Sequence, residues 1–466
     1  MDKTARYPLN EEVDLPEAPK KLSGMVGPSL VLLGMGLGSG EIILWPYITS
    51  NFGLGMVWAI VVGLTMQFFI NMEVERYALI YGESIFVGFA RWLRFLPIWF
   101  IISTFLGFGW PGIGMAGATL LSNAGGFAKY TSYLAAGMFV FSGLILTLGK
   151  TLYTTVETLQ KWLISIGSPA IIILAFYLAK PTDWQALALG LVGQGNGYSW
   201  LAPGMVMATF LGALAFAGAG GNLNLAQSFY VRDKGYGMGK FADKIKSLFS
   251  NKAADKDMSL AGRTFPITSE NIKRFKQWWK MVNLEHFLIF EVLGLVTIIM
   301  LSLLAYVTAY GHPGNPEGIK FVLNEAVFVG QRIAPFMGTL FLLAAGLMLT
   351  ATQLTVLDST SRIITENILL LKGHAAAKIA RYYYIVLWVQ IAFGVTIILS
   401  GRAQPKDLII LSACINAFAM FIYTALLLFL NNMKLDKQLR PSLFRNIFLI
   451  FTFLFYGVFG YLTLRG

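Results

Sequence analysis

The sequence predicts an all-α integral membrane fold in which two of the membrane-spanning helices are interrupted. Of the 466 residues, 56% are hydrophobic and only 13% are charged, which is too apolar for a soluble protein of this length. The apolar residues form blocks long enough to cross a bilayer, and two of these blocks contain runs of glycine. We therefore expect a polar cytoplasmic tail, residues 1–24, followed by one polytopic domain, residues 25–466.

Eleven apolar blocks predict eleven spans. They cover residues 25–48, 54–80, 95–121, 132–149, 157–179, 204–231, 284–310, 327–356, 382–401, 406–431 and 443–464. If the N-terminus is cytoplasmic, 29 of the 36 lysine and arginine residues lie on the cytoplasmic side. This distribution satisfies the positive-inside rule and predicts a plasma (inner) membrane protein with a cytoplasmic N-terminus and an external C-terminus.

The formal net charge of +12 follows from the same cytoplasmic loops. Basic residues beside a membrane attract anionic lipids, so we expect membrane lipids as partners and no nucleic acid. The single cysteine, Cys414, excludes disulfides within the chain. The full Walker-type phosphate-binding motif (Gly, four residues, then Gly-Lys-Ser/Thr), zinc-ligand spacings and catalytic triads are absent from the sequence, so we expect no enzyme activity and no cofactor.

The longest soluble segment is a basic loop, residues 232–281, which contains twelve lysines and arginines. Near its end, Ile272, Phe275 and Trp279 fall on one face of a predicted helix, and basic residues fill the other face. Ser269 is a candidate N-cap for this helix. The pattern predicts an interfacial helix on the inner leaflet, either as an anchor or as a sensor of lipids or partners.

Glycines at every second position from Gly34 to Gly40 lie in the first span, and Glu41 follows directly. Such a run disfavours the α-helix, and unwound backbone within a membrane is tolerated only where protein or a watery cavity satisfies it. A carboxyl group at this depth is costly and indicates function, although Glu41 could simply complement the dipole of the helix that resumes there. The predicted substrate- or ion-binding residues of this span are Gly38, Ser39, Gly40 and Glu41, with Glu41 as the candidate metal ligand.

A second glycine run lies in the sixth span, at residues 217–222. Its glycines free backbone carbonyls and Asn222 adds a neutral amide, so that with Glu41 they offer hard oxygen ligands to a cation. The alternative is that these glycines only allow helices to pack closely. Two discontinuous spans in corresponding halves are typical of secondary transporters with a binding site near the midplane. The predicted site residues of this span are Ala217, Gly218, Gly220, Gly221 and Asn222.

Other charges within the spans have simpler explanations. Glu73 with Arg76, and Asp358 with Arg362, have the spacing of ion pairs along one helix. Polar residues precede Asp358 in the eighth span, so a secondary cation site there is an alternative, formed by Thr352, Thr355 and Asp358.

Glu157 begins span five, and Glu285 and His286 begin span seven. All three are expected near the inner interface, in solvated positions. None of the three histidines is placed deep in a span by the predicted boundaries. A proton relay through a membrane needs a chain of Asp, Glu or His side chains. We therefore expect no such relay.

Four short motifs occur in a characteristic order along the chain. They are Gly27-Pro28 at the start of span one, Pro181 with Asp183-Trp184 after span five, Asn222-Leu223 after the second glycine run, and Leu343-Ala344-Ala345-Gly346 in span eight. In these motifs and their order the chain resembles the Nramp family of divalent metal transporters, which have the LeuT-like fold. The resemblance implies five-plus-five inverted repeats with broken spans one and six, and an eleventh span outside them. It also implies transport of a divalent metal by alternating access.

The departures from the family fall on its metal ligands. Nramp proteins carry Asp-Pro-Gly-Asn in span one, where this chain has Gly38-Ser39-Gly40-Glu41, and Met-Pro-His in span six, where it has Ala219-Gly220-Gly221. The carboxylate is therefore kept only at the Asn position, as Glu41. Because a methionine thioether favours soft metals, its absence predicts a preference for hard cations.

Three functions follow from these observations. The first is a carrier of a cation, chiefly a divalent metal ion. The second is a LeuT-type carrier of an amino-acid-like or amine solute, which the glycine-rich run would suit but which Glu41 disfavours, because it occupies the position of a bound anion. The third is a sensor that transports nothing.

Overall fold

The protein is described by a computed structural model over residues 7, 9, 11–148, 152–243, 258–373, 376–377, 379–401 and 404–465. Within these residues, ten helices are long and apolar enough to cross a membrane. Two shorter helices, Met207–Ala215 and Leu223–Lys234, occupy the position of the predicted sixth span. The molecule is a multi-pass, all-α membrane protein.

The first half of the chain contains spans one to five. Its helices are α1 (Pro28–Gly36), α2 (Trp45–Phe52), α3 (Trp58–Tyr81), α4 (Ile85–Trp92), α5 (Leu96–Phe108), α6 (Gly112–Ala124), α7 (Thr131–Leu148), α8 (Leu152–Leu178) and α9 (Pro181–Leu191). Span one consists of α1, a π-helical segment (Leu37–Leu44) and α2. Spans two, four and five are α3, α7 and α8, and span three is divided between α5 and α6.

The second half contains spans six to eleven. Its helices are α10 (Met207–Ala215), α11 (Leu223–Lys234), α12 (Ser269–His286), α13 (Gly294–Ala309), α14 (Lys320–Arg332), α15 (Pro335–Lys372), α16 (Ile379–Leu399), α17 (Pro405–Met433) and α18 (Leu443–Arg465). Span six is formed by α10 together with α11, and spans seven to eleven are α13, α15, α16, α17 and α18. Two small antiparallel sheets pair β1 (Gln194–Gly195) with β2 (Tyr198–Ser199), and β3 (Met258–Ser259) with β4 (Ala376–Ala377).

Span eight differs from its predicted limits of residues 327–356. It is the long helix α15, which begins at Pro335, and the preceding α14 is a separate helix. The residue before a proline is disfavoured in α-helical conformation, and Ala334 is extended, with φ of −166°. Proline is suited to the first turn of a helix, where its missing N–H is not needed. The two helices are therefore separated at Pro335.

A helix is present where the sequence predicts the interfacial helix, but it does not end before span seven. Helix α12 continues through a second π-helical segment (Phe287–Leu293) into α13, which gives one helix of 41 residues. The prediction of Ser269 as N-cap is wrong, because the N-cap is Thr268, whose side chain accepts a hydrogen bond from Asn271 N at 3.2 Å. Residues 244–257 of the basic loop lie outside the described residues.

The N-terminal segment is held on one face of α12. Trp278 Nε1 donates to Pro16 O at 2.8 Å, and Asn271 Nδ2 donates to Asp14 Oδ1 at 2.9 Å. Leu15 N in turn donates to Asn271 Oδ1 at 3.1 Å. The chain's own tail thus lies against the side of α12 that carries Asn271 and Trp278.

Candidate functional site

Span six is unwound, as predicted. Helix α10 ends at Ala215 and α11 begins at Leu223, and the residues between them are not helical. Gly220 and Gly221 have φ of +75° and +49°. These left-handed conformations favour glycine because it has no Cβ, so the glycines let the chain turn between the two half-helices.

Gln67 of span two satisfies the backbone of this unwound segment. Its Nε2 donates to Ala215 O at 3.1 Å and lies 3.4 Å from Leu214 O, and its Oε1 accepts from Gly220 N at 3.0 Å. Buried backbone groups that lose their helical partners need others, and in a membrane water does not replace them. One side chain thus connects the end of α10 to the far side of the break.

We expect Gln67→Leu to destabilise the protein strongly, because it keeps the approximate size of the side chain but removes both hydrogen-bonding groups. Leaving a buried polar group unpaired costs about 1–3 kcal/mol, and Gly220 N and Ala215 O would both be affected. Thermal unfolding of the purified protein in detergent measures the change.

Gln390→Leu in span nine is the matched control for this variant. Gln390 is also buried, but it bonds the hydroxyl groups of Thr360 and Ser361 at 2.8 and 2.9 Å. The Thr360 hydroxyl has an alternative acceptor in Val356 O at 2.8 Å. A Gln67→Leu protein as stable as the Gln390→Leu protein would show that the break does not depend on Gln67.

Span one is not unwound, and in this respect the prediction is wrong. The α-helical pattern stops at Gly36 and restarts at Trp45, but the intervening residues form a π-helix, in which Trp45 N donates to Gly40 O, five residues earlier. A π-helical segment widens the helix without releasing its backbone groups. The glycine run of span one therefore changes the type of helix and does not break the hydrogen-bonded backbone.

The glycines of span one allow close contacts with spans six and eight. A Cβ on Gly40 would overlap the Phe216 carbonyl oxygen, and one on Gly36 would lie 2.9 Å from the Gly218 carbonyl carbon. A Cβ on Gly38 would lie 2.5 Å from the Thr352 side chain. Spans one and six thus face each other at the predicted residues, and close packing explains why glycines occur there.

Glu41 is fully buried. It belongs to the π-helical segment of span one, and its side chain faces span seven. Its Oε2 accepts a hydrogen bond from Thr297 Oγ1 at 2.8 Å. Its Oε1 has no hydrogen-bond partner among the residues that the structure describes. A buried carboxyl group without a cationic partner is costly when charged, so Glu41 either holds a proton or binds a cation. The side chain of the neighbouring predicted residue, Ser39, lies outside the described part of the structure.

Asn222 closes the unwound segment of span six and is oriented by span three. Its Nδ2 donates to Ser103 Oγ at 2.8 Å and to Thr104 Oγ1 at 2.9 Å. Its Oδ1 is buried and unpaired within the described residues, and so is Oδ1 of Asn416, which a Cβ on Gly221 would overlap. The side-chain amide of Asn222 therefore has its donor occupied. The amide oxygens of Asn222 and Asn416 are free within the described residues.

The residues of the predicted secondary cation site are separated by their partners. Thr352 Oγ1 donates to Gly34 O at 2.9 Å, and Thr355 Oγ1 accepts from Gln160 Nε2 at 2.7 Å. Asp358, in contrast, accepts from Arg362 Nε at 3.0 Å with both oxygens and from Tyr383 OH at 2.8 Å. The predicted ion pair of Asp358 is confirmed, and it occupies the carboxylate that a cation would need.

The same arginine connects span eight to the second half of span six. Arg362 Nη1 donates to Asp233 Oδ2, and Asp233 Oδ1 accepts from Arg232 Nε at 3.1 Å. Arg232 Nη1 also reaches Glu366 Oε2 at 3.5 Å. These side chains are all buried. They form a buried ion-pair ladder, defined here as Arg232, Asp233, Asp358, Arg362 and Glu366.

The expectation that Glu285 and His286 are solvated is wrong, because both are buried. The long helix that contains α12 and α13 places them in its middle, against the start of span one. Ser29 Oγ donates to Glu285 Oε2 and lies 2.7 Å from His286 Nδ1, and this nitrogen is 3.3 Å from Glu75 Oε1 of span two. The described residues thus contain a chain of carboxyl and imidazole groups of the kind that the predicted span boundaries excluded.

Glu157 is also buried, contrary to the expectation of a solvated position. Its Oε1 lies 2.7 Å from Nζ of both Lys161 and Lys234. Lys161 is on the same helix, four residues later, and Lys234 is the last residue of α11. Glu157 therefore joins span five to the end of span six.

No group of three or more histidine, cysteine, aspartate or glutamate side chains suited to a metal ion occurs in the part of the chain that the structure describes. A metal at the predicted site would therefore rely on Glu41 and on neutral oxygens. Gln67 and Thr297, which contact the predicted site residues, were not singled out from the sequence. The available signal was the spacing of Gln67, Asn71 and Glu75, which lie four residues apart along one face of span two.

Comparisons with known proteins agree on the fold. No protein-family model matches the chain, and no curated protein matches it in sequence. A mutant form of the manganese transporter of Eremococcus coleocola, an Nramp-type carrier, superimposes with a TM-score of 0.66 at 13% identity, over 97% of this chain and 89% of that one.

Two further solved structures are similar over nearly their whole length. They are Mhp1, a nucleobase-cation-symport-1 family transporter with bromovinylhydantoin bound, and MhsT in complex with L-phenylalanine. Their TM-scores are 0.55 and 0.50, at 14% and 13% identity, and the matches cover 96% and 97% of this chain and 95% and 99% of theirs. The chain therefore has the LeuT-like fold, in the form that is also found in an Nramp-type manganese transporter, as its sequence motifs predicted.

Proposed function

We propose that this protein is a secondary transporter that moves a cation, chiefly a divalent metal ion, by alternating access through a site where spans one and six meet. The fold, the unwound segment of span six and the buried Glu41 support this proposal. Because a Cβ on Gly40 would overlap Phe216 O, the two spans are in direct contact there. A substrate would enter only after they separate, which agrees with alternating access.

The observation that carries the proposal is that Glu41 and Asn222 each have a free oxygen among the described residues. Glu41 Oε1 and Asn222 Oδ1 are unpaired within the described structure, whereas Asn222 Nδ2 and Gly220 N are both occupied. Free oxygens suit a cation, and hard cations such as Mg²⁺ or Mn²⁺ prefer oxygen ligands. An anion would instead need free donors.

A carrier of an organic amine is the second candidate. One carboxyl group matches the single charge of an ammonium group, and both Mhp1 and MhsT have organic molecules bound. An amino acid fits less well, because its carboxylate would require free amides in span one. The π-helix engages those amides, as the bond from Trp45 N to Gly40 O illustrates.

Calorimetry of the purified protein tests the proposal, with Mn²⁺, Mg²⁺, an alkylamine and L-phenylalanine titrated separately. We expect saturable binding of at least one of the metal ions and none of L-phenylalanine. Binding of the amine alone would favour the second candidate. Binding of none of them would contradict a carrier of this class and favour a sensor.

We expect hard cations to compete better than cadmium at this site. A methionine thioether attracts soft metals, and the residues that replace the family's Met-Pro-His are Ala219, Gly220 and Gly221. The preference is measured by the concentrations of Mg²⁺ and of Cd²⁺ that displace half of the bound Mn²⁺. If Cd²⁺ displaces Mn²⁺ at the lower concentration, the site contains a soft ligand that we have not identified.

We further propose that the protein lies in the plasma (inner) membrane with its N-terminus in the cytoplasm and its C-terminus outside. The distribution of lysine and arginine between the loops supports this orientation. A cysteine placed after Arg465, in a protein whose Cys414 is replaced by alanine, should react with a membrane-impermeant reagent on intact cells. Labelling only after the cells are broken would reverse the orientation.

A further inference from the structure

A separate cavity of about 390 Å³ lies beside span one, between spans five, seven and eight and helix α14. This volume falls within the range of about 300–1,000 Å³ that is typical of small-molecule sites. Its wall is almost entirely apolar, and includes Ile42, Pro46, Leu301, Met337, Phe341 and Met348. Glu41 is not part of the wall, so the cavity is distinct from the proposed transport site.

One carboxyl group, that of Glu325, lies in this apolar wall. Glu325 is 2% exposed, and it makes no hydrogen bond or ion pair with any residue that the structure describes. It occupies the middle of the buried face of α14, whose other members are Phe321, Val322, Ala326 and Val329. An apolar residue would be expected at such a position, because an unpaired buried carboxyl group is costly.

The basic residues of α14 are engaged elsewhere. Lys320 pairs with Glu317, and the Arg332 guanidinium lies over the ring of Phe328, 5.5 Å from its centroid. The cavity therefore combines an apolar volume with one acidic group that lacks a cation.

The cavity is open towards the outer surface of the helix bundle. Among its lining residues, Ile173 and Tyr177 are 68% and 69% exposed, and Leu340 is 52% exposed. These side chains belong to spans five and eight, so in a membrane they face acyl chains. A molecule dissolved in the bilayer can reach the cavity without passing through water.

We propose that this cavity binds an amphiphilic primary amine from the bilayer, with its alkyl chain against the apolar wall and its nitrogen on Glu325. A free amine that enters from the lipid accepts the proton of the Glu325 carboxyl group. The result is an ammonium–carboxylate pair, and no net charge is brought into the membrane. Such a charge-assisted bond is stronger than a neutral one.

The other small occupants fit the cavity less well. An anion would be repelled by Glu325, and a water molecule would find too few polar partners in an apolar wall. A metal ion would find one carboxyl group, where several oxygen ligands are usual. An uncharged lipid chain could fill the volume but would leave Glu325 without a partner, and the experiment below includes it as an outcome.

Photolabelling of the full-length protein in lipid nanodiscs tests the proposal with two probes. The first is a long-chain primary alkylamine that carries a diazirine, and the second is the alcohol of the same chain. We expect the amine to label peptides from spans five and eight saturably, and unlabelled amine to compete with it. Equal competition by the alcohol would overturn the proposal and show a site for lipid chains only.

Substitutions then test the role of Glu325. Glu325→Gln keeps the size of the side chain but cannot become an anion, so we expect amine labelling to weaken about tenfold or more, the factor of one charge-assisted hydrogen bond. Glu317→Gln, an exposed carboxyl group just before the same helix, is the matched control and should leave labelling unchanged. Unchanged labelling of the Glu325→Gln protein would contradict the proposal.

The competition between the two unlabelled probes uses the wild-type protein, so the proposal remains testable if Glu325→Gln fails to fold. Ala345→Phe offers a further check, because it fills the cavity from span eight and leaves Glu325 in place. We expect it to abolish labelling by the amine. Persistent labelling of the same peptides by the amine would place the site elsewhere and overturn the assignment.

Discussion

Glu41→Gln is expected to abolish most of the substrate binding. The variant keeps the size of the side chain and a group that can bond Thr297, but it cannot balance the charge of a cation. Removing one partner of a buried, hydrogen-bonded charge pair costs about 2–5 kcal/mol. Since each 1.4 kcal/mol is about tenfold, affinity should fall roughly thirty-fold or more. Calorimetry with Mn²⁺, together with uptake into vesicles, measures the loss.

Glu291→Gln is the matched control for this experiment. Glu291 lies in the π-helical segment of span seven, is also buried, and accepts a hydrogen bond from a threonine, Thr65 Oγ1, at 2.6 Å. This hydrogen bond connects Glu291 to span two and not to span one or span six. If Glu41 only accepts the hydrogen bond from Thr297, glutamine can replace it, and the change should cost less than about 1.5 kcal/mol of affinity. Equal binding by the two variants would therefore assign Glu41 to that structural role.

Arg362→Met is expected to destabilise the protein more than any surface substitution. Arg362 is the cation shared by Asp358 and Asp233 in the ion-pair ladder. Its removal leaves two buried carboxylates with only Arg232 nearby. Breaking a buried ion pair by removing one partner typically costs about 3–5 kcal/mol. Thermal unfolding in detergent measures this loss, and we expect the contact between α11 and span eight to loosen as well.

Lys320→Met provides the comparison for this prediction. Lys320 pairs with Glu317, and the two side chains are 57% and 65% exposed. Exposed pairs contribute about 0–1 kcal/mol, so this variant should unfold close to the wild-type temperature. If Arg362→Met unfolds at the same temperature as Lys320→Met, the ladder does not hold span six to span eight.

The spans and the local ion pairs could be predicted because they depend on nearby residues. Apolar blocks of membrane length determine the spans, and the spacing of Asp358 and Arg362 places them on one helix face. The unwound segment of span six was also predictable, since consecutive glycines followed by Asn222 leave no stable helix. The fold class followed from these features together with the order of motifs along the chain.

The conformation of span one could not be predicted in the same way. Alternating glycines are compatible with an unwound segment and with a tightly packed helix. The outcome depends on Phe216, Gly218 and Thr352, which lie far along the chain but approach within contact distance of this run. Likewise, the burial of Glu285 and His286 depends on the continuity of α12 with α13, and no local signal separates a solvated helix start from the middle of a longer helix.

The π-helical segment of span one has a mechanical consequence. A π turn contains more residues than the 3.6 of an α turn, so this segment has more residues per turn than the α-helices on either side of it. If it converts to α-helix, the residues on one side rotate relative to the other by about 100° for each residue released. We expect such a rotation to turn Glu41 away from Thr297 without exposing any backbone amide to lipid. The carboxyl group would thus face different neighbours in different states of the protein, because the helix rotates about its axis and does not bend.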